Sequence, residues 1–189
     1  MTQQERSRAD TPADAGRFTG ANGPRVLGPH DGHAVDLRSL GVRFLAWSEA
    51  TGGDFALGEH PIPPRTLVAP LHRHEREDEY SFVLEGVMGA DLGGEVVLAR
   101  AGDFVFKPRR QWHTFWNAGD APCRVLGIIC PGGFERFFSE LAELMAATGA
   151  PNPGVALAGS GAPERFAVEF KPESSDELCL RHGLTYPPI

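Results

Sequence analysis

Four residues of the 189-residue chain combine the side-chain types and the spacing of a metal site. His72 and His74 are separated by one residue, so on a β-strand both imidazoles point to the same face. Glu79 follows a wholly charged stretch, 75–78, that is unsuited to a core. We therefore predict a turn there, after which Glu79 begins the next antiparallel strand beside the two histidines. One hairpin would then supply three ligands.

A second stretch, 102–117, supplies a candidate fourth ligand. Gly102 and Pro108 bracket another strand, and His113 lies early on the strand that follows. Three neutral imidazoles and one carboxylate suit a divalent transition metal, and they do not suit calcium or magnesium. A site with coordination positions left open is reactive rather than purely structural.

The content of glycine and proline and the short apolar runs of the chain predict the β-strands that would position these residues. Glycine and proline are frequent, with 23 and 16 residues, which argues against a helical bundle. Short apolar or alternating runs between Val26 and Pro131 are typical of a β-sandwich or barrel. The pair Gly93-Gly94 predicts a tight hairpin. The predicted strands are 42–47, 54–62, 66–71, 79–84, 87–92, 95–98, 103–107, 112–117 and 124–130.

Three segments follow from this pattern. Residues 1–25 are predicted to be a flexible N-terminal arm, 26–131 a β-barrel, and 132–189 a helical C-terminal extension with an extended tail. Apolar residues at helical spacing from Phe134 to Met145 predict a helix that ends at Gly149. Residues 150–162 are predicted to be a loop. A second helix is expected from Ser174, with Glu177 completing a capping box, to Gly183.

Composition excludes several classes of function. The net charge of −7 and the absence of a basic stripe argue against nucleic-acid binding. No apolar run is long enough to predict a membrane span, and the N-terminus has no apolar core of a secretory signal. The three cysteines are interpreted as reduced, ordinary small residues, which favours a cytoplasmic location.

The two stretches resemble the paired motifs of the cupin superfamily. The first motif is matched by His72, His74, Glu79 and Gly86, and the second by Gly102, Pro108, His113 and Asn117. Arg110 and Thr66 occupy positions at which the family has glycine. These two differences are expected to affect a turn or a strand end and not the ligands. The resemblance implies an all-β fold, a cupin jelly-roll β-barrel with the metal bound inside by His72, His74, Glu79 and His113. It also implies a homodimer, and the C-terminal extension resembles that of single-domain, quercetin-dioxygenase-like cupins.

Strand alternation predicts the lining of the cavity around the metal. Phe115 shares the face of His113, and Ser81 and Val83 share the face of Glu79. Phe104 or Phe106 is expected to line the wall as well. Trp112 and Trp116 are expected to pack outside, under a helix or at a dimer interface. An apolar, aromatic pocket beside a metal suits a small organic substrate.

Three functions fit this pattern. The first is an oxygenase that uses iron, with manganese, nickel, cobalt or copper as alternatives, and in which Glu79 acts as a base toward a substrate hydroxyl. An aromatic or polyketide-like compound is a candidate substrate. The second is a non-redox isomerase, cyclase, decarboxylase or lyase in which zinc or a similar ion polarises a carbonyl. The third is a non-catalytic binding module. The other histidines, His30, His33, His60 and His182, are interpreted as having ordinary structural roles.

Overall fold

The computed structural model of the chain describes residues 23–24, 26–37 and 40–186. The predicted N-terminal arm therefore lies almost wholly outside the described residues. The described chain forms eleven strands, one 3-10 turn and four helices. The strands are β1 (His33–Leu37), β2 (Leu40–Ala46), β3 (Ala56–Ile62), β4 (Leu71–His74), β5 (Asp78–Glu85), β6 (Val87–Leu92), β7 (Glu95–Arg100), β8 (Phe104–Lys107), β9 (His113–Asn117), β10 (Cys123–Cys130) and β11 (Val168–Lys171).

Two antiparallel sheets face each other and confirm the predicted all-β barrel. One sheet has the strand order β1-β2-β3-β10-β5-β8, and the other has the order β11-β4-β9-β6-β7. Sequence neighbours such as β6 and β7 pair through a short turn, where Gly93 and Gly94 have φ angles of 69° and 96°. These positive angles are those that a two-residue hairpin turn requires, so the predicted tight hairpin is confirmed.

The helices lie at the C-terminal end of the chain, as the resemblance implied. They are α1 (Glu135–Thr148), α2 (Pro153–Leu157), α3 (Ala162–Arg165) and α4 (Ser174–His182). Helix α1 buries Phe137, Leu141 and Met145 on one face and ends at Gly149 in the left-handed conformation, as predicted. Its first-turn residue Glu135 is fully buried and accepts hydrogen bonds from the Ser48 amide and hydroxyl, which ties the helix to the barrel.

Several predicted boundaries are wrong. Residues 66–71 do not form a strand: Thr66 and Leu67 make isolated bridges, and strand β4 begins only at Leu71. Helices α2 and α3 occupy part of the predicted loop 150–162. The capping box at α4 does not form, because the Ser174 hydroxyl accepts from the Leu71 amide and donates to the Lys171 carbonyl instead.

The C-terminal stretch is built into the barrel and is not a separate layer. Strand β11 pairs with β4 along its whole length, in the register Val168↔His74 to Lys171↔Leu71. One core cluster joins Phe44 and Trp47 from the N-terminal strands with Phe137 of α1. The edge of the ligand-bearing sheet therefore depends on residues beyond 131. None of the helices in the described part of the chain has the length and apolarity that crossing a membrane requires.

Candidate metal centre

The four predicted ligands converge inside the barrel. One potential ligand atom from each of His72, His74, Glu79 and His113 lies within 4.8 Å of those of the other three. Strands β4 and β9 are paired at His72↔His113, which places these two rings 4.5 Å apart between centroids. His74 is two residues further along β4 on the same face. All four residues are buried.

Glu79 comes from the opposite sheet, and here the predicted hairpin is wrong. Strands β4 and β5 do not pair, because β4 belongs to the sheet with β9 and β5 lies between β10 and β8. The charged stretch 75–78 carries the chain from one sheet to the other. Glu79 then faces the histidines across the barrel, with its Oε1 3.3 Å from His74 Nε2 and its Oε2 3.3 Å from His113 Nε2.

Backbone carbonyls orient two of the imidazoles. His72 Nδ1 lies 2.8 Å from the Pro70 carbonyl oxygen, and His113 Nδ1 lies 3.0 Å from the Gln111 carbonyl oxygen. A carbonyl can only accept, so each Nδ1 carries the proton and each Nε2 presents a lone pair. This arrangement is the one that metal-ligating histidines use. His74 Nδ1 faces the buried carboxylate of Glu77 at 3.7 Å.

A cavity of about 350 Å³ opens beside these residues. Ser81 and Phe115 line it, as predicted, whereas Val83 is fully buried in the neighbouring core. Most of the phenylalanine and tyrosine residues of its walls come from the C-terminal part of the chain, together with two leucines: Phe134, Phe137, Phe138, Leu141, Leu157, Phe170 and Tyr186. The cavity is mostly apolar, and His72 and Glu79 of the cluster are among its few polar lining residues.

Comparison with known families identifies this arrangement. A family model described as the cupin domain matches residues 59–129, a stretch that contains all four clustered residues. Residues 59–129 of the chain are thus a cupin domain. A solved cupin-fold neighbour, KdgF from Halomonas sp., superposes with a TM-score of 0.52 at 18% identity, over 60% of this chain and 98% of that one, and this likeness concerns the fold alone.

Two curated proteins resemble this cupin over part of their length. Quercetin 2,3-dioxygenase of Bacillus subtilis is 27% identical over 120 residues, which are 64% of this chain and 35% of that protein. The tetracenomycin polyketide synthase protein TcmJ of Streptomyces glaucescens is 32% identical over 75 residues, which are 40% of this chain and 50% of that protein. The matched regions thus span between a third and a half of the curated relatives.

The donor atoms of this cupin fit a divalent metal. His74 Nε2 and His113 Nε2 are buried and make no hydrogen bond within the described residues. Leaving two such atoms unsatisfied in one place is costly, and an ion held between them and the Glu79 carboxylate would remove that cost. Three imidazole nitrogens and a carboxylate oxygen are compatible with iron, manganese, nickel, cobalt, copper or zinc.

The electrostatics of the cluster keep Glu79 ionised. Burial acts to raise the pKa of Glu79, but the ammonium of Lys107 and the imidazoles of His113 and His74 hold it well below its usual range. Burial acts to lower the pKa of His74, but Glu77 and Glu79 outweigh it and raise the pKa to about 9. For His72, burial and the neighbouring His113 and His74 lower the pKa far below its usual range. His74 must therefore release a proton when it binds a metal at neutral pH.

Sequence reasoning missed Lys107 and misplaced two phenylalanines. Lys107 Nζ lies 2.6 Å from Glu79 Oε2 and 4.4 Å from the centre of the Phe115 ring, and the residue is only 3% exposed. Phe104 and Phe106, predicted to line the cavity, are 59% and 47% exposed. Strand β8 pairs with β5 in the register Glu79↔Lys107, so Val105 and Lys107 face inward and the two phenylalanines face out.

The other residues named in the sequence analysis contact the helices, the surface or the cavity wall. Trp116 packs under α4, where its ring stacks on His182 at 4.5 Å, as predicted. Trp112 lies beneath the cations of Arg73 and Lys171. His60 differs from the other unassigned histidines, because it lines the cavity and burial lowers its pKa to about 4. Arg110, which replaces the family glycine, keeps the left-handed φ of 67° that a glycine would adopt freely.

Proposed function

We propose that this cupin is a metal-dependent oxygenase that acts on a small aromatic or polyketide-like substrate. Its metal, with iron as the first choice, would be held by His72, His74, Glu79 and His113. The observation that carries this proposal is the convergence of four buried ligand atoms beside an apolar cavity of about 350 Å³. The similarity to a quercetin dioxygenase and to a polyketide synthase protein is consistent with it.

Different residues of the chain would have different roles in such a reaction. The metal would supply a Lewis acid and a redox centre for dioxygen at its open positions. The aromatic walls, including Phe115 and Phe138, orient a ring-shaped substrate and exclude water from it. Glu79 is the candidate base, because its ionised carboxylate can take the proton of a substrate hydroxyl. Lys107, beside it, stabilises the ionised form of that carboxylate.

A non-redox enzyme is the second candidate. The same four ligands would hold a zinc-like ion that polarises a substrate carbonyl, and the Glu79–Lys107 pair offers a proton acceptor and a proton donor that need no oxidant. An isomerase, cyclase, decarboxylase or lyase would have this form. A protein that binds a small molecule in this cavity without turnover is the third candidate.

The first experiment is a metal analysis of the purified chain beside two histidine variants. We expect about one transition-metal ion per chain in the wild type. His113→Ala should lower metal affinity by at least about tenfold, since even residues behind the ligands contribute that much. The control is His30→Ala, because His30 is exposed and outside the site. Absence of stoichiometric metal in the wild type, or unchanged occupancy in His113→Ala, would contradict the proposal.

The second experiment separates redox from non-redox chemistry. Flavonols and aromatic polyketides are incubated with metal-loaded protein in air and under strict anaerobiosis, with oxygen uptake and products measured together. Oxygen uptake that matches product formation supports the oxygenase. Equal turnover without oxygen supports the non-redox enzyme, and saturable binding without turnover supports the binding module.

A further inference from the structure

Lys107 is the feature of the cavity that the ligand set does not explain. Its side chain is 97% buried, since only 3% is exposed, and it lines the same cavity as Glu79 and Phe115. Burying an ammonium in apolar surroundings is costly unless an anion accompanies it. Among the described residues, the anion in contact with Lys107 is Glu79. If a metal ion also binds Glu79, Lys107 has only a share of that anion and needs a further one from the cavity.

The charges around the cluster do not balance once a divalent ion is bound. Glu79 would then be shared between that ion and Lys107. The other buried carboxylate at the cluster is Glu77, which faces His74. Asp78 is committed to Arg109, with a bidentate contact of 2.7 Å and 3.1 Å. With three neutral imidazoles, the positive charges of the ion and of Lys107 exceed the negative charges of Glu79 and Glu77 by one.

We propose that Lys107 is an anion-binding subsite of the substrate cavity. The ligand it selects has an apolar ring body and one ionised oxygen group, such as a carboxylate, an enolate or a phenolate. The oxygen group pairs with Lys107 next to the metal centre, while the ring packs against Phe115 and the C-terminal wall. One monoanion restores charge balance in the buried site. This inference rests on the proposed function, because it requires the metal to be present.

The geometry favours this subsite over a purely structural role for Lys107. An ammonium has three donors, and its position at the cavity wall leaves it accessible to a ligand oxygen as well as to Glu79. The face of Phe115 lies 4.4 Å from Nζ, so a cation–π contact holds the ammonium at the wall. A lysine that served only to orient Glu79 would confer no preference between charged and neutral ligands.

The test compares two probes of the same shape and different charge. Purified full-length chain is loaded with Zn²⁺, which is redox-inert, and titrated with 2-naphthoate and with 2-naphthamide in a calorimeter. We expect the wild type to prefer the carboxylate by at least about tenfold, which corresponds to about 1.4 kcal/mol. Lys107→Met should lose this preference and Lys107→Arg should retain it.

The chain provides a matched control, since Lys171 is its other lysine. Lys171 lies over Trp112, and neither of these two residues lines the cavity. Lys171→Met should keep the full preference for 2-naphthoate. Zinc content is measured in every sample. Stoichiometric zinc without a carboxylate preference in the wild type would overturn the anion subsite alone. Retention of the preference in Lys107→Met would also overturn it, whereas absence of zinc binding in the wild type would overturn the proposed function together with it.

Discussion

The ion pair between Lys107 and Glu79 predicts that metal and lysine compete for the same carboxylate. In metal-free protein, Lys107→Met removes the ammonium that lies 2.6 Å from Glu79 Oε2, and it leaves a carboxylate whose side chain is only 12% exposed. Breaking a buried pair by removing one partner costs about 3–5 kcal/mol. The pKa of His74 is raised to about 9, so at pH 7 its imidazolium compensates part of that loss.

We therefore expect a net destabilisation of about 2–3 kcal/mol for metal-free Lys107→Met, below the full cost of a broken buried pair. With an m-value of about 2 kcal/mol per molar urea, this lowers the unfolding midpoint by about 1–1.5 M. A bound divalent ion would supply the missing positive charge to Glu79. The loss should then shrink by at least about 1.4 kcal/mol, which is equivalent to a tenfold gain in metal affinity for the variant.

The assay is urea unfolding of wild type, Lys107→Met and Lys171→Met, each with excess EDTA and with excess Zn²⁺. Lys171→Met is expected to change the free energy of unfolding by less than about 1 kcal/mol in both conditions, since Lys171 is only partly buried and contacts a surface ring. The reasoning is refuted if EDTA-treated Lys107→Met is as stable as the wild type. It is equally refuted if Zn²⁺ stabilises wild type and Lys107→Met by the same amount.

Three further predictions concern stability and reactivity. Arg124 and Arg43 lower the pKa of Glu59, so its stabilising contribution is complete above the pKa of the unfolded chain and is lost as pH falls through the lower folded value. Glu59→Gln should thus cost about 1–2 kcal/mol at pH 7 in thermal unfolding, and this cost should shrink as the pH falls through the lowered pKa of the folded chain. A cost independent of pH would contradict the ion pairs. Arg110→Gly should be at least as stable as the wild type in urea unfolding. Glycine adopts the left-handed φ of this position without the cost of about 1 kcal/mol that arginine incurs, and this gain offsets the loss of the exposed ion pair with Glu75. A clear loss of stability would count against this reasoning. Burial raises the pKa of the Cys123 thiol to about 11, so maleimide at pH 7.5 should leave Cys123 unmodified by peptide mass spectrometry until the chain is unfolded.

The ligands could be predicted from sequence because their spacing is local. His72 and His74 share a strand face by alternation alone, and the distance from Gly102 to His113 fixes a strand and a turn. Which sheet each strand joins is decided by contacts between distant residues. For that reason the spacing indicated that Glu79 follows the histidines, and did not indicate that it faces them from the opposite sheet.

The elements that sequence reasoning missed have weak local patterns. Strand β4, whose bounds were misplaced, consists of LHRH, and its inward residues are histidines, so no apolar alternation marks where it begins and ends. Strand β11 has four residues and forms because the edge of β4 is available to it. Lys107 was overlooked for a related reason, since a lysine in a strand is normally solvent-exposed. Polar groups that face inward break the patterns used for prediction, and here they mark the site.

The origin of the cavity wall has a consequence for how such a protein can diversify. The stretch matched by the family model, 59–129, contains every residue of the four-residue cluster, whereas most of the phenylalanine and tyrosine residues of the cavity wall follow residue 131. Mutations in α1, or insertions around α2, can reshape the space offered to a ligand without moving a coordinating atom. Part of the shape of the cavity is thus encoded apart from the four clustered residues, whereas Lys107 and Phe115, which also line it, lie in the same stretch as the cluster.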